Sequence, residues 1–390
     1  MSFRSIVILV LSLVLTSSAW AQSQTLAQTP DLFDTKARQA YLIDSGTGTI
    51  LFSRKESEPV TSASLAKAMT LAVVFKALRT GEIALDTTYP VSEHAWRTGG
   101  APSRTATMFA ALKSQVAVED LIRGVAVQAA NDACIILAEG MAGSEAAFAA
   151  RMNAEAKALG LTQSRFANAT GLPDPGNKVS MQDLVTLGRY LRDTYPEYYR
   201  YYSEPEFVWN KIKQRNRNPL VGMNIGVDGL VLGFAEDSGY GLLVSVERDN
   251  RRLFVALGGL ASEKERVDEA RRMIDWGMTA FGSRTLFKAG DTVAEASVYG
   301  GDVHTVPLVT PGDVEVLLPV DNKERLSARV VYAWPLQAPV APGQQVGVLR
   351  IWNGDRFLRQ VPLQTAASVE VGTLFSRALD ALQELLFFWL

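Results

Sequence analysis

Hydrophobic periodicity changes repeatedly along this chain, and the order of those changes restricts the folds open to it. The run AYLIDSGTGTILFSR reads as two strands around the short loop Ser45-Gly46-Thr47-Gly48. From Leu65 to Leu78 the spacing is helical, with Leu65, Met69, Ala72 and Val73 on one face, and Arg79 and Gly81 close the helix. Helical spacing continues through VEDLIRGVAVQAANDACIILAEGM, SEAAFAARMNAEAKALG and SMQDLVTLGRYLRDTY. Strand-like runs return at GYGLLVSVER and RLFVALGGL, joined by Asp249-Asn250, and Ser262 and Glu265 then form a capping box for the helix SEKERVDEARRMIDWGM. Strands, a block of helices and strands again predict a mixed α/β (α+β) unit over residues 37–283.

Beyond Gly282 the texture shifts to short alternating runs, DVEVLLPV, ARVVYAW and VGVLRIW, separated by Pro and Gly turns, with a hairpin signal at Asn353-Gly354. This predicts a small all-β sandwich over residues 284–368. Residues 371–390 follow, placing Leu374, Phe375, Ala378, Leu379, Leu382, Leu385, Leu386 and Trp389 at three- and four-residue steps with Arg377, Asp380 and Glu384 off that face. The pattern predicts an amphipathic helix lying on a membrane interface; docking on the chain's own core is the alternative. At the other end, Arg4, the apolar run from Ile6 to Leu15 and Ala19-Trp20-Ala21 form a cleavable export signal over residues 1–21. That apolar run is too short for the ~20 residues a bilayer core requires.

Export places the chain in an oxidising compartment, yet Cys134 is its sole cysteine, so no intramolecular disulfide forms and packing must supply stability. Cys134 stands among apolar neighbours and reads as a small hydrophobe. The two histidines, His94 and His304, lack any ligand spacing, so neither a zinc site nor a Ser-His triad is legible, and no metal or cofactor is expected. A net charge of −2 gives no case for nucleic acid.

The segment TSASLAKAMT holds Ser64 and Lys67 three positions apart, a spacing that puts both on one helical face. A serine hydroxyl becomes a nucleophile when a nearby base takes its proton, and a lysine kept neutral by desolvation is such a base. Together with AYLIDSGTGTILFSR, LIRGVAVQAANDACIILAE, FANATGLPDP, KQRNRNPLV and GVDGLVLGF, this segment resembles the low-molecular-mass penicillin-binding proteins, the serine D-alanyl-D-alanine carboxypeptidases. The resemblance extends over nearly the whole chain after the leader. It implies a penicillin-binding, β-lactamase-like transpeptidase domain, a serine acylated at Ser64, and Lys67 as its base. It implies peptidoglycan stem peptides and β-lactams as ligands, and a periplasmic location on the outer face of the cytoplasmic membrane.

Two motifs of that family are altered here. The Ser-x-Asn motif falls on Ala129-Ala130-Asn131, and the Lys-Thr-Gly strand motif on Val231-Leu232-Gly233. Asn131 and Gly233 remain, as substrate-orienting amide and as close-approach position, while Val231 and Leu232 replace the groups that hold the substrate's terminal carboxylate. Each lost hydrogen bond to a charge is worth about 1.5–3 kcal/mol. The resemblance therefore leaves three readings: a carboxypeptidase, a silent cell-wall-binding or scaffolding protein of the same fold, or a serine hydrolase of altered substrate range. Lys211, Lys213, Arg215 and Arg217 in NKIKQRNRN form a charged hairpin able to offer a replacement cation, and Asp228-Gly229 reads as a turn.

Overall fold

The structure, a computed structural model, describes residues 33–374 and Arg377. The leader at residues 1–21 lies outside the described residues, as does the tail beyond Leu374 apart from Arg377. The larger unit is built on a five-stranded antiparallel sheet in the order Ile50–Arg54, Gln39–Asp44, Arg251–Leu260, Gly239–Arg248, Val227–Ala235. The first and last strands of the chain's order thus meet in the middle, and the strand carrying VDGLVLGF is an edge.

Strand periodicity divides the interior into two cores. In Arg251–Leu260, Phe254 and Ala256 enter the core beneath the helical block, whereas Leu253, Val255 and Leu257 enter a second core with Met273 and Ile274. Met273 and Ile274 belong to the helix Glu263–Thr279. Because both faces are covered, Gln39–Asp44 is buried at every position. The helix Lys67–Arg79 is apolar nearly all round and runs through the first core, where Met69, Leu71, Val74 and Phe75 are fully enclosed. Gly188, in the helix Met181–Thr194, permits close contact with the sheet: a Cβ there would lie 3.2 Å from Leu230, Leu243 and Phe254.

The long apolar run after Val118 is two helices, Val118–Gln128 and Asn131–Ala142, where spacing alone reads one. Ala129 adopts a left-handed φ of 54° and Ala130 is extended. The Asp132 carboxylate explains the break. It is buried and accepts hydrogen bonds from Thr107 Oγ1 at 2.6 Å, Met108 N at 2.9 Å and Ala110 N at 3.1 Å, tying the second helix to the preceding loop. Those partners satisfy a carboxylate that an uninterrupted helix would leave stranded in the core. A second difference concerns Asp228-Gly229, which lies within the strand Val227–Ala235 and forms no turn. The register shifts at this point, and Asp228 is held by Arg252 Nη1 at 2.7 Å.

Among the described residues, the smaller unit is built of strands. A ribbon of Phe281–Phe287 with Val314–Pro319 packs with a six-stranded sheet over one core that includes Val306, Leu308, Val316, Ile351 and Leu363. Leu317 N donates to Thr49 Oγ1 at 3.2 Å, and Arg356 Nη2 donates to Ile50 O at 2.9 Å. These contacts attach the smaller unit at the edge of the large sheet opposite VDGLVLGF, leaving that edge open.

Phe254 spans the contact between sheet and helices, so Phe254→Ala should cost about 3–5 kcal/mol. Urea denaturation is expected to show a lower midpoint with little change in slope; an unchanged midpoint would contradict this packing.

Candidate active site

A cleft of about 880 Å³ opens beside the edge strand. Ser64, Asn131, Val231, Leu232 and Gly233 all contribute to its wall, and Lys67 stands immediately behind Ser64. Ser64 lies on a single 3₁₀ turn, Ala63–Ala66, that leads directly into Lys67–Arg79. The Lys67 amine is 2.7 Å from Ser64 Oγ and donates to the carbonyl oxygen of Thr170 at 2.7 Å. Lys67 is only 1% exposed. Burial lowers its pKa to about 8, opposed by the neighbouring Cys134 and reinforced by the positive charge of Arg217.

The Thr170 carbonyl is aimed by a local turn. Asn168 Oδ1 accepts from Thr170 N at 3.2 Å, Thr170 Oγ1 at 2.9 Å and Gly171 N at 2.8 Å. Gly171 follows with φ +75°, and a Cβ there would sit 1.7 Å from the Ala63 carbonyl oxygen. The segment FANATGLPDP therefore touches the serine turn on one side and fixes the lysine on the other.

The helix break places Ala129 and Asn131 at the cleft. Asn131 Nδ2 donates to Thr105 Oγ1 at 2.9 Å, while its Oδ1 is buried with no partner among the described residues. Ala129 supplies no hydroxyl here, but Thr105, from a different segment, adds one to the same wall.

On the strand, alternation divides the side chains. Val231 is 7% exposed and packs into the core under the helical block; Leu232 lies half-buried against the opposite core. Gly233 faces the serine turn, where a Cβ would come to 3.0 Å from Leu65 Cγ. Hydrocarbon thus occupies the strand where the family motif is polar. Cations line the cleft from other elements. Arg217, exposed, follows the ribbon of Glu206–Trp209 with Ile212–Arg215, in which Lys213 pairs with Glu206 at 2.7 Å. Of the four basic residues in NKIKQRNRN, Arg217 is the one lining the cleft.

Lys264 and Arg266 are the others, beside the carboxylates of Glu263 and Asp268, and Arg266 carries no signal in the sequence. It lies in the first turns of Glu263–Thr279 and is 7% exposed. Its Nη1 donates to Gly233 O at 3.2 Å, its guanidinium lies 5.5 Å from the Tyr240 ring centroid, and its Nε has no partner among the described residues. Burial lowers its pKa, against the pull of Glu263. A buried guanidinium facing a cleft without a paired carboxylate is arranged for an anion.

A serine on a 3₁₀ turn, a desolvated lysine against its hydroxyl and an open sheet edge alongside define an acyl-transferring serine hydrolase. Comparison with known proteins agrees. The family model for D-alanyl-D-alanine carboxypeptidase matches residues 23–259, and that for the C-terminal domain of penicillin-binding protein 5 matches residues 281–371. D-alanyl-D-alanine carboxypeptidase DacC of Escherichia coli is 35% identical over 93% of this chain and 90% of its own length. Penicillin-binding protein 5 of Haemophilus influenzae superposes with a TM-score of 0.74 at 33% identity, covering 88% of this chain and 99% of the other. Penicillin-binding protein D2 of Listeria monocytogenes, solved in its cefotaxime-bound form, gives a TM-score of 0.55 at 26% identity over 64% of this chain and 100% of its own. The chain belongs to the D-alanyl-D-alanine carboxypeptidase family, whose members are serine-type enzymes.

A lysine accepts a proton only when neutral, so raising the pH through the Lys67 pKa should activate Ser64. Acylation by a fluorescent penicillin is expected to climb about tenfold per pH unit at low pH and level off above a pH of about 8. A profile flat across that value would remove Lys67 as the base.

Proposed function

We propose that this protein is a periplasmic D-alanyl-D-alanine carboxypeptidase that trims peptidoglycan stem peptides through an acyl-enzyme on Ser64. The observation carrying this reading is the contact between the buried Lys67 amine and Ser64 Oγ at 2.7 Å. Ser64 Oγ attacks the carbonyl carbon of the penultimate D-alanine and Lys67 Nζ accepts the hydroxyl proton. The C–N bond breaks, the proton passes to the departing nitrogen, and terminal D-alanine leaves. Water then hydrolyses the ester and restores Ser64.

The open edge of Val227–Ala235 is suited to take the substrate backbone as an added strand. Asn131 Oδ1, buried and unpartnered among the described residues, is available to an amide N–H of the acyl portion. Arg266 receives the terminal carboxylate, the role that Val231 and Leu232 cannot fill. With alanine at position 129, proton transfer to the departing amine relies on Lys67 and solvent, which supports slow turnover. The leader at residues 1–21 and the amphipathic pattern at 371–390 support export and attachment to the outer face of the cytoplasmic membrane.

Intact-mass analysis after exposure to benzylpenicillin should show one covalent adduct, absent from Ser64→Ala, together with D-alanine release from diacetyl-L-Lys-D-Ala-D-Ala. No adduct and no release at high concentration would favour a silent cell-wall-binding member of the fold. Arg266→Met should raise KM for that peptide about tenfold to a hundredfold with a smaller change in kcat, the loss expected for one hydrogen bond to a charged group.

A further inference from the structure

Phe234 follows directly on the altered motif of the edge strand. Its side chain lines the cleft and is 51% exposed, unusual for a phenylalanine beside a catalytic serine. It is not a loose surface ring. Phe234 rests against Tyr240 with centroids 4.4 Å apart, Tyr240 occupies the directly paired position on the neighbouring strand, and the Arg266 guanidinium lies 5.5 Å from the Tyr240 ring centroid. Arg266 and Phe234 therefore share one support, and the free face of Phe234 stands beside the place where an anionic group would be held.

Alternation sets Leu232 and Phe234 on the same side of the strand, away from Gly233 and the serine turn. Val267, half-buried and next to Arg266 in the helix Glu263–Thr279, adds to the same wall. In a carboxypeptidase the anionic end of the substrate is the departing residue, so the residue whose carboxylate meets Arg266 has its side chain alongside Leu232 and Phe234. The methyl group of D-alanine is too small to cover that surface. A longer hydrocarbon side chain removes more of it from water, at roughly 25 cal/mol per Å² of apolar area.

We infer that this cleft is selective for stem peptides ending in a D-residue with a hydrocarbon side chain larger than methyl, and that Phe234 and Leu232 set this preference. The inference rests on the carboxypeptidase reading above and specifies its substrate. The reaction is unchanged: Ser64 forms an ester to the penultimate D-alanine, the C–N bond breaks, the departing amine takes the proton from Lys67, and water releases the acyl group.

The test compares kcat/KM for diacetyl-L-Lys-D-Ala-D-Ala and diacetyl-L-Lys-D-Ala-D-Leu, with benzylpenicillin acylation of Ser64 measured in parallel. The wild-type protein should favour the leucine-ended peptide about tenfold. Phe234→Ala should lose most of that preference, with an unchanged far-ultraviolet circular dichroism spectrum reporting an intact fold. Leu232→Thr should move the preference toward the alanine-ended peptide. Equal or better cleavage of the alanine-ended peptide by wild type would overturn the inference and leave the carboxypeptidase reading standing. A preference for leucine that survives in both variants would overturn the assignment to Phe234 and Leu232. Failure to cleave either peptide, with no penicillin adduct, would remove the carboxypeptidase reading and this inference with it.

Discussion

The site depends on keeping a lysine amine out of water. Lys67 is enclosed in a largely apolar core, and its amine meets two oxygens, Ser64 Oγ and the Thr170 carbonyl. A paired carboxylate would stabilise the ammonium and raise its pKa; two neutral acceptors leave burial dominant. Much of the surrounding architecture serves that arrangement. The Asn168 turn aims the Thr170 carbonyl, Gly171 admits the Ala63 backbone, and the near-uniform hydrophobicity of Lys67–Arg79 excludes water from below.

The edge strand shows how a substitution is read differently once the neighbours are known. From the chain alone, Val231 and Leu232 are losses, since they remove donors for a carboxylate. In three dimensions the cleft retains positive charge, because Arg217 approaches from the loop after a ribbon and Arg266 from the start of a helix. Arg266 is held where a strand lysine is not: its Nη1 is spent on Gly233 O, and its plane lies near the Tyr240 ring. The strand has consequently exchanged polarity for shape, and Phe234 with Leu232 turns one wall into an apolar shelf.

Some of this was legible in sequence for local reasons. Ser64 and Lys67 are three residues apart, so helical geometry brings them together whatever the remainder of the fold does. Ser262 caps its helix by accepting from Glu265 N, again a local interaction. The break after Gln128 was not legible, because its cause is Asp132 bonding to a loop more than twenty residues earlier. Asp228-Gly229 misled for a similar reason: a dipeptide that favours turns is held in a strand by Arg252. Thr170 and Arg266 carried no signal, since a backbone carbonyl has no residue signature and an arginine in an amphipathic helix is ordinary until its surroundings are known.

Sequence by itself determined the broad succession of strand-rich and helical regions, the pairing of a serine with a lysine, and the family to which the chain belongs. These follow from periodicity, from i to i+3 spacing and from resemblance along the chain, none of which requires a long-range contact. Tertiary structure alone decided which carbonyl faces Lys67, which cations line the cleft beside the altered motif, and that Phe234 stands open on the cleft. Such properties arise where segments distant in sequence are pressed together, as Lys67 and Thr170 are across 103 positions, and burial and charge at those junctions belong to no single segment.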